Sequence, residues 1–314
     1  MAMSTPATIG GGAARGVTES LTNKSSNIRS RVIEALLVLS LLLSMVILIV
    51  LIIELLRQSW SVWTERPVDF LTSGLNSQNA AEAGVWQGIK GTLILMFVVA
   101  AVAFPLGIAC AVYLEEYSSK TRFAKWTRIN VRNLAGVPSI VYGLLGLAIF
   151  VKALDGVTSG KTVFAGGLTL AALVLPIVII TASEALRAVP RSIREGALGV
   201  GATEWETVRH HVLPSAAPGI LTGTVLALAR AAGEAAPILL VGAATGLLVT
   251  GSQNFFEQLT GSFTAMPAVI YSFARQPGED FRAITAAASV VLLLLVLLMN
   301  GFAVWLRNRY ERKW

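Results

Sequence analysis

The run Ala35–Ile53 has no charged residue and is rich in Leu, Ile and Val; no other feature restricts the fold as strongly. A helix needs roughly 20 predominantly apolar residues to cross a bilayer core. Five more such stretches follow: Gly91–Leu114, Asn133–Val151, Thr162–Ser183, one from Ser215 to about Gly242 interrupted by Arg230 and Glu234, and Ala283–Leu306. None alternates polar and apolar residues as a membrane barrel strand must. The expectation is an all-α, polytopic membrane protein with six transmembrane helices. Composition agrees, at 54% hydrophobic and 14% charged, where a soluble domain carries charge on about a quarter of its residues.

Residues 1–30 are rich in Ser, Thr, Gly and Ala with scattered positive charge, and read as a disordered cytoplasmic tail. The apolar run after them is too long for a signal-peptide core and lacks a small-residue cleavage site. It is expected to be the first span of a transmembrane domain over 31–314. Lys and Arg collect on cytoplasmic loops, and here they are unevenly shared. Seventeen of the 25 lie before span one, between spans two and three, between spans four and five, and after span six. Seven lie in the alternate loops and Arg230 lies within a span. Both termini are therefore expected in the cytoplasm. The same bias explains the net charge of +7 without a nucleic-acid partner. Cys110, the single cysteine, excludes a disulfide scaffold and reads as a small buried hydrophobe. The outer segments 58–88 and 243–282 are long enough to shape an external surface. The second holds Phe255-Phe256 and short apolar pieces, Leu247–Val249 and Ala265–Ile270, consistent with a re-entrant or interfacial helix.

The segment between spans four and five, about 185–214, carries two Ser/Thr-x-x-Glu patterns, Ser192 with Glu195 and Thr203 with Glu206. Each is expected to start a short helix as a capping box. Gly199 and Gly201 between them suit a left-handed helix end, giving a helix–turn–helix knob. His210 and His211 point about 100° apart on a helix, which favours a surface or packing role over a shared metal.

With these residues in place, the segment resembles the "EAA" loop of ABC importer permeases. That pattern is Glu-Ala-Ala, three residues, Gly, nine residues, an apolar residue, any residue, Leu-Pro. Here Glu195, Gly196, Ala197, Gly201, Leu213 and Pro214 occupy its landmarks. Gly196 replaces the first Ala, and His211 holds the apolar place. The resemblance implies a type I permease fold and a coupling helix that inserts into a groove on an ATPase subunit.

Within span five, Arg230 and Glu234 are spaced to share one helix face. Ionisable groups at membrane depth are costly and face a cavity or a partner. Two readings fit: a structural ion pair stitching helices together, or a polar patch on a path for an anion. For the second, a guanidinium forks onto two oxygens of phosphate or another tetrahedral oxyanion. Alanines and Gly233 around the pair allow close approach, and Pro237 adds a local break.

Three further stretches are similar to the PstA branch of phosphate-specific permeases: Leu134–Gly146, Arg230–Pro237, and Met266–Tyr271 with Ala274–Pro277. Ala235 stands where those permeases have Thr, removing a hydroxyl. Gly143, Gly146 and Pro138 equally suit close helix packing with a kink. The resemblance implies a phosphate-importer permease half in a bacterial plasma membrane, non-catalytic and without a bound cofactor. Its partners would be a PstC-type permease, two PstB-type ATPases that use the ATP, and a PstS-type phosphate-binding protein. The chain has no Gly-x-x-x-x-Gly-Lys-Ser/Thr phosphate loop, and Gly10–Gly12 lack the Lys and hydroxyl that such a loop needs to cradle a nucleotide. A permease for another oxyanion or solute stays open. A membrane enzyme acting on lipid phosphate is disfavoured, since no nucleophile or metal cluster converges on the charged pair.

Overall fold

The computed structural model describes residues 28–118, 121–243 and 255–310, and every regular element among them is a helix. Residues 1–27 of the expected tail and the Leu247–Val249 piece lie outside the described residues, and Ile28–Ser30 already belong to the first helix. The chain divides into two compact units, residues 1–54 and 55–314.

Helix α1 (Ile28–Gln58) carries the described part of the first unit. Its Leu, Ile and Val side chains are exposed on every face, the pattern of a helix meant for an apolar surrounding. The Ser40 and Ser44 hydroxyls donate to the carbonyls of Leu37 and Leu41 at 2.8 Å, so the helix satisfies its own polar atoms.

In the second unit, α2 (Trp86–Val112) is followed by α3 (Arg122–Ala135) and α4 (Ser139–Gly146). Then come α5 (Val163–Ala188), α6 (Arg191–Gly199), α7 (Glu204–Thr207) and α8 (Leu213–Gly233). The last three are α9 (Ala236–Leu240), α10 (Met266–Ala274) and α11 (Glu279–Tyr310). The centre is α5, packed along α2 and α8, with α11 against α8. Small residues let these helices approach closely: a Cβ on Gly167 would sit 2.5 Å from Val98 Cγ1. Leu95, Val99, Leu170, Val174, Ala227 and Ala231 fill the core between them.

Among the described residues five helices are long and apolar enough to cross a membrane, and there are six if the bent pair Arg122–Ala135 with Ser139–Ala153 is counted as one span. That pair corrects the expected third span. Asn133–Ala135 closes α3, and the chain then turns by 102° before Ser139–Ala153. The turn falls on Gly136-Val137-Pro138, where proline disfavours helical backbone at the residue before it. A second correction concerns span five, which does not run unbroken from Ser215 to Gly242. It starts earlier, continuing from α7 through a wide π-type turn at Val208–Val212, and α8 stops at Gly233. Pro237 has no N–H for the Gly233 carbonyl and its ring would strike that oxygen, so the helix cannot pass.

In the Ala265–Ile270 piece, Ala265 is the N-cap of α10, and the helix packs into the fold. Met266, Val269 and Phe273 are buried, and the Met266 N–H donates to Thr92 Oγ1 on α2 at 2.9 Å. In the segment between α1 and α2, the Arg66 guanidinium donates to the carbonyls of Ala80, Ala81 and Ala83, tying Arg66 to residues 80–83.

Candidate translocation and coupling sites

Arg230 sits in the last turn of α8 and Glu234 just beyond it, in extended backbone with ψ 112°. The sequence put both on one continuous helix face; the structure pairs them across the helix end. Arg230 Nε lies 3.5 Å from Glu234 Oε1, an ion contact with the Arg side chain 52% exposed and the Glu side chain 20% exposed. Ala231 and Ala232 are buried on the inner side, and a Cβ on Gly233 would meet nothing within 4 Å. The guanidinium thus reaches open space from a helix terminus, held by a carboxylate that is itself half-buried.

The stretches Leu134–Gly146 and Arg230–Pro237 come together in space. A Cβ on Gly143 would lie 2.8 Å from Pro237 Cα and 2.9 Å from Leu240, so α4 rests directly on α9. The Tyr142 hydroxyl donates to the Leu134 carbonyl at 2.9 Å, closing the bend between α3 and α4 over itself.

The knob is built as the sequence predicts at its turn and differently at its start. Gly201 is left-handed, with φ 91°. Its N–H donates to Leu198 O at 3.0 Å and the Ala202 N–H to Ala197 O at 3.1 Å, the paired bonds of a Schellman motif. Thr203 then caps α7: its hydroxyl oxygen accepts from the Glu206 N–H, and Glu206 accepts from the Thr203 N–H at 2.9 Å. The Ser192 box does not form. Pro190, at ψ 141°, is already the cap of α6, which places Ser192 inside the first turn. Glu195 and Gly196 are exposed, Ala197 is buried, Leu213 is half-buried and Pro214 is exposed in the first turn of α8. His210 and His211 are exposed on the wide turn before it. Cys110 is half-buried beside Leu114 and Ile179.

Two features escaped the sequence reading. One is the apolar tip of the knob: Leu198, Val200 (87% exposed) and Trp205 (55% exposed) all face outward. The other is an ionic clamp at its root. A wide π-type turn at Tyr113–Tyr117 presents Glu115 and Glu116. Glu115 accepts from Arg187 at 2.7 and 2.8 Å and from Arg128 at 3.2 Å. Glu116 accepts from Arg194 at 2.7 and 3.0 Å, and Arg194 also donates to the carbonyls of Leu186 and Val189 at the end of α5. The hydrogen bonds that Arg194 donates to Glu116 raise its pKa above the ordinary value, against the opposing effect of burial. The bidentate pairs of Arg187 and Arg194, with the bond from Arg128 Nε, join the turn after α2 to α5, α6 and α3.

Comparison with known proteins places this arrangement. A family model described as "Binding-protein-dependent transport system inner membrane component" matches residues 103–312. The chain belongs to that family. The phosphate transport system permease protein PstA of Pasteurella multocida (strain Pm70) is 34% identical over 224 residues, 71% of this chain and 75% of that protein. The probable ABC transporter permease protein YqgI of Bacillus subtilis (strain 168) is 31% identical over 254 residues, 76% of this chain and 82% of that protein. The resemblance to PstA-type permeases is thereby borne out. Among solved structures, the bacterial alginate ABC transporter aligns with a TM-score of 0.62 over 90% of this chain and 95% of that one, at 17% identity. That likeness bears on the fold alone, and it supports an ABC importer permease fold. The chain is a multi-pass inner-membrane permease subunit of an ABC importer.

Proposed function

We propose that this permease is one half of the translocation pathway of an ATP-driven phosphate importer, and that Arg230 lies on the path. The observation that carries the reading is the Arg230–Glu234 pair: a guanidinium half-exposed at the end of a membrane helix, in loose contact with a carboxylate. A fixed fork of donors suits a tetrahedral oxyanion. Glu234 holds the guanidinium between passages and keeps the anion from being trapped. Relatives named as phosphate permeases support phosphate as the cargo.

In this reading both termini lie in the cytoplasm, behind a short tail (1–30), and the domain over 31–314 carries the coupling loop at about 185–214. Glu195, Gly196, Ala197, Gly201, Leu213 and Pro214 form the frame of the knob, and Leu198, Val200 and Trp205 are its docking tip. Two PstB-type ATPases, a PstC-type permease and a PstS-type binding protein complete the importer. The chain itself binds no cofactor and hydrolyses no ATP; closure of the ATPases moves the knob and alternates access to the cavity.

Uptake of labelled phosphate into vesicles holding the assembled importer tests this. Arg230→Gln is expected to abolish ATP-dependent uptake while the subunits still co-purify. Loss of assembly, or uptake at the unaltered rate, returns the pair to a structural role. Sulfate that competes as well as phosphate would shift the cargo to oxyanions in general.

A further inference from the structure

Helix α3 has two outward faces of different chemistry. At about 100° per residue, Arg122, Lys125 and Arg132 share one arc, while Phe123, Trp126 and Leu134 share the next. Ala124 and Val131 on the remaining side are buried in the bundle. All six of these side chains are exposed, as are Ile129 on the basic arc and Asn133 between the two arcs; Phe123 is exposed by 61% and Trp126 by 62%, with their rings stacked at 6.3 Å. The helix contains no acidic residue. The side chains of Arg122, Lys125 and Arg132 make no ion pair or hydrogen bond among the described residues. Arg128, on the inner edge, is committed to Glu115.

The 102° bend between Arg122–Ala135 and Ser139–Ala153 lays α3 close to the membrane plane when the second segment crosses it. The clamp to Arg187 and Arg194 sets α3 at the same end of the bundle as the knob. A helix in the plane with an aromatic arc beside an unneutralised basic arc matches the boundary between acyl chains and negatively charged headgroups. We propose that α3 is a recognition surface for anionic phospholipid on the knob's side of the membrane. Phe123, Trp126 and Leu134 enter the acyl boundary, and Arg122, Lys125 and Arg132 hold headgroup phosphates. This needs only that the chain spans the membrane, and is independent of what it transports.

The test uses the assembled importer in bilayers of phosphatidylcholine and phosphatidylglycerol, with bromine placed on the acyl chains of one lipid or the other. Trp126 emission is isolated as the difference from Trp126→Phe. Brominated phosphatidylglycerol is expected to quench it about two- to fivefold more than brominated phosphatidylcholine at equal mole fraction, from the usual attraction of a few basic residues to an anionic surface. The excess should vanish in Arg122→Gln/Lys125→Gln/Arg132→Gln and shrink at about 1 M salt, where the Debye length is about 3 Å. Equal quenching by both lipids overturns the proposal in favour of plain lipid contact. Quenching by neither overturns it in favour of another subunit covering the face, and loss of the excess on adding inorganic phosphate assigns the charges to that ion. The unaltered protein decides among these even where the triple variant fails to assemble.

Discussion

Gly201 holds a backbone conformation that strains an L side chain, in a place where nothing crowds it. A Cβ there would meet no atom within 4 Å, so the need for glycine comes from φ 91° alone and from no packing. That supplies a physical reason for a glycine at this place in the knob: the paired bonds from Gly201 and Ala202 close α6 only when the chain turns left-handed. Gly201→Ala should destabilise the turn by about 1–2 kcal/mol, and Gly201→Asn by less, since Asn tolerates that region. Hydrogen exchange of the amides of 198–207 measures it. Equal effects of Ala and Asn would mean that the position is read by a partner surface rather than by its own backbone. The neighbouring cap makes a second residue-scale case. Thr203→Ala removes the acceptor for the Glu206 N–H and should fray α7, whereas Ser192→Ala should leave α6 unchanged, because Ser192 caps nothing.

At the scale of elements, α4 and α9 determine where the charged pair stands, and their contact depends on Gly143. A methyl group there would approach Pro237 Cα to 2.8 Å, against backbone that cannot swing aside as a side chain can. Gly143→Ala should therefore push α9 off α4, at a cost of about 1–3 kcal/mol, and displace the segment that follows Arg230. Phosphate uptake should fall by tenfold or more with the subunits still assembled. Gly156→Ala, where an added Cβ meets nothing within 4 Å, is the matched control; similar uptake in both variants would sink the idea. These elements also show what the sequence could and could not reveal. The spans are legible because lipid demands long apolar runs, and Thr203 and Gly201 because capping and left-handed turns are local. The bend at Gly136–Pro138 was hidden because α3 is amphipathic and charged, so only its last residues joined the apolar window. The Ser192 box failed because Pro190, two residues earlier, had already set the helix start. The depth of α10 rests on a bond to Thr92, which is 174 residues away, and no local pattern encodes that.

For the whole molecule, the ionic clamp decides whether the knob moves alone or carries the membrane bundle with it. Glu115 and Glu116 meet Arg187 and Arg194, partners separated by 72 and 78 residues in sequence, so the link appears only once α2 and α5 are packed. Arg194 grips both Glu116 and the last carbonyls of α5, and thereby fixes α6 to the helix at the centre of the core. Without that grip, the stretch Val189-Pro190 is the only covalent joint between α5 and the knob, and a push on α6 would be absorbed there as hinge motion. Glu116→Gln should leave the apolar tip intact and so preserve binding of the ATPases. It should raise hydrogen exchange across 190–199 by about tenfold, equivalent to about 1.4 kcal/mol. ATP hydrolysis should then continue with fewer phosphate ions moved per ATP. The double variant Glu116→Arg/Arg194→Glu, which restores an ion pair of reversed order, should recover part of that ratio. Full coupling in Glu116→Gln would show that the membrane helices follow the knob through its apolar contacts, Leu186 and Val189 against Val212 and Ala216, rather than through charge. The clamp would then serve only to seat the root of the loop.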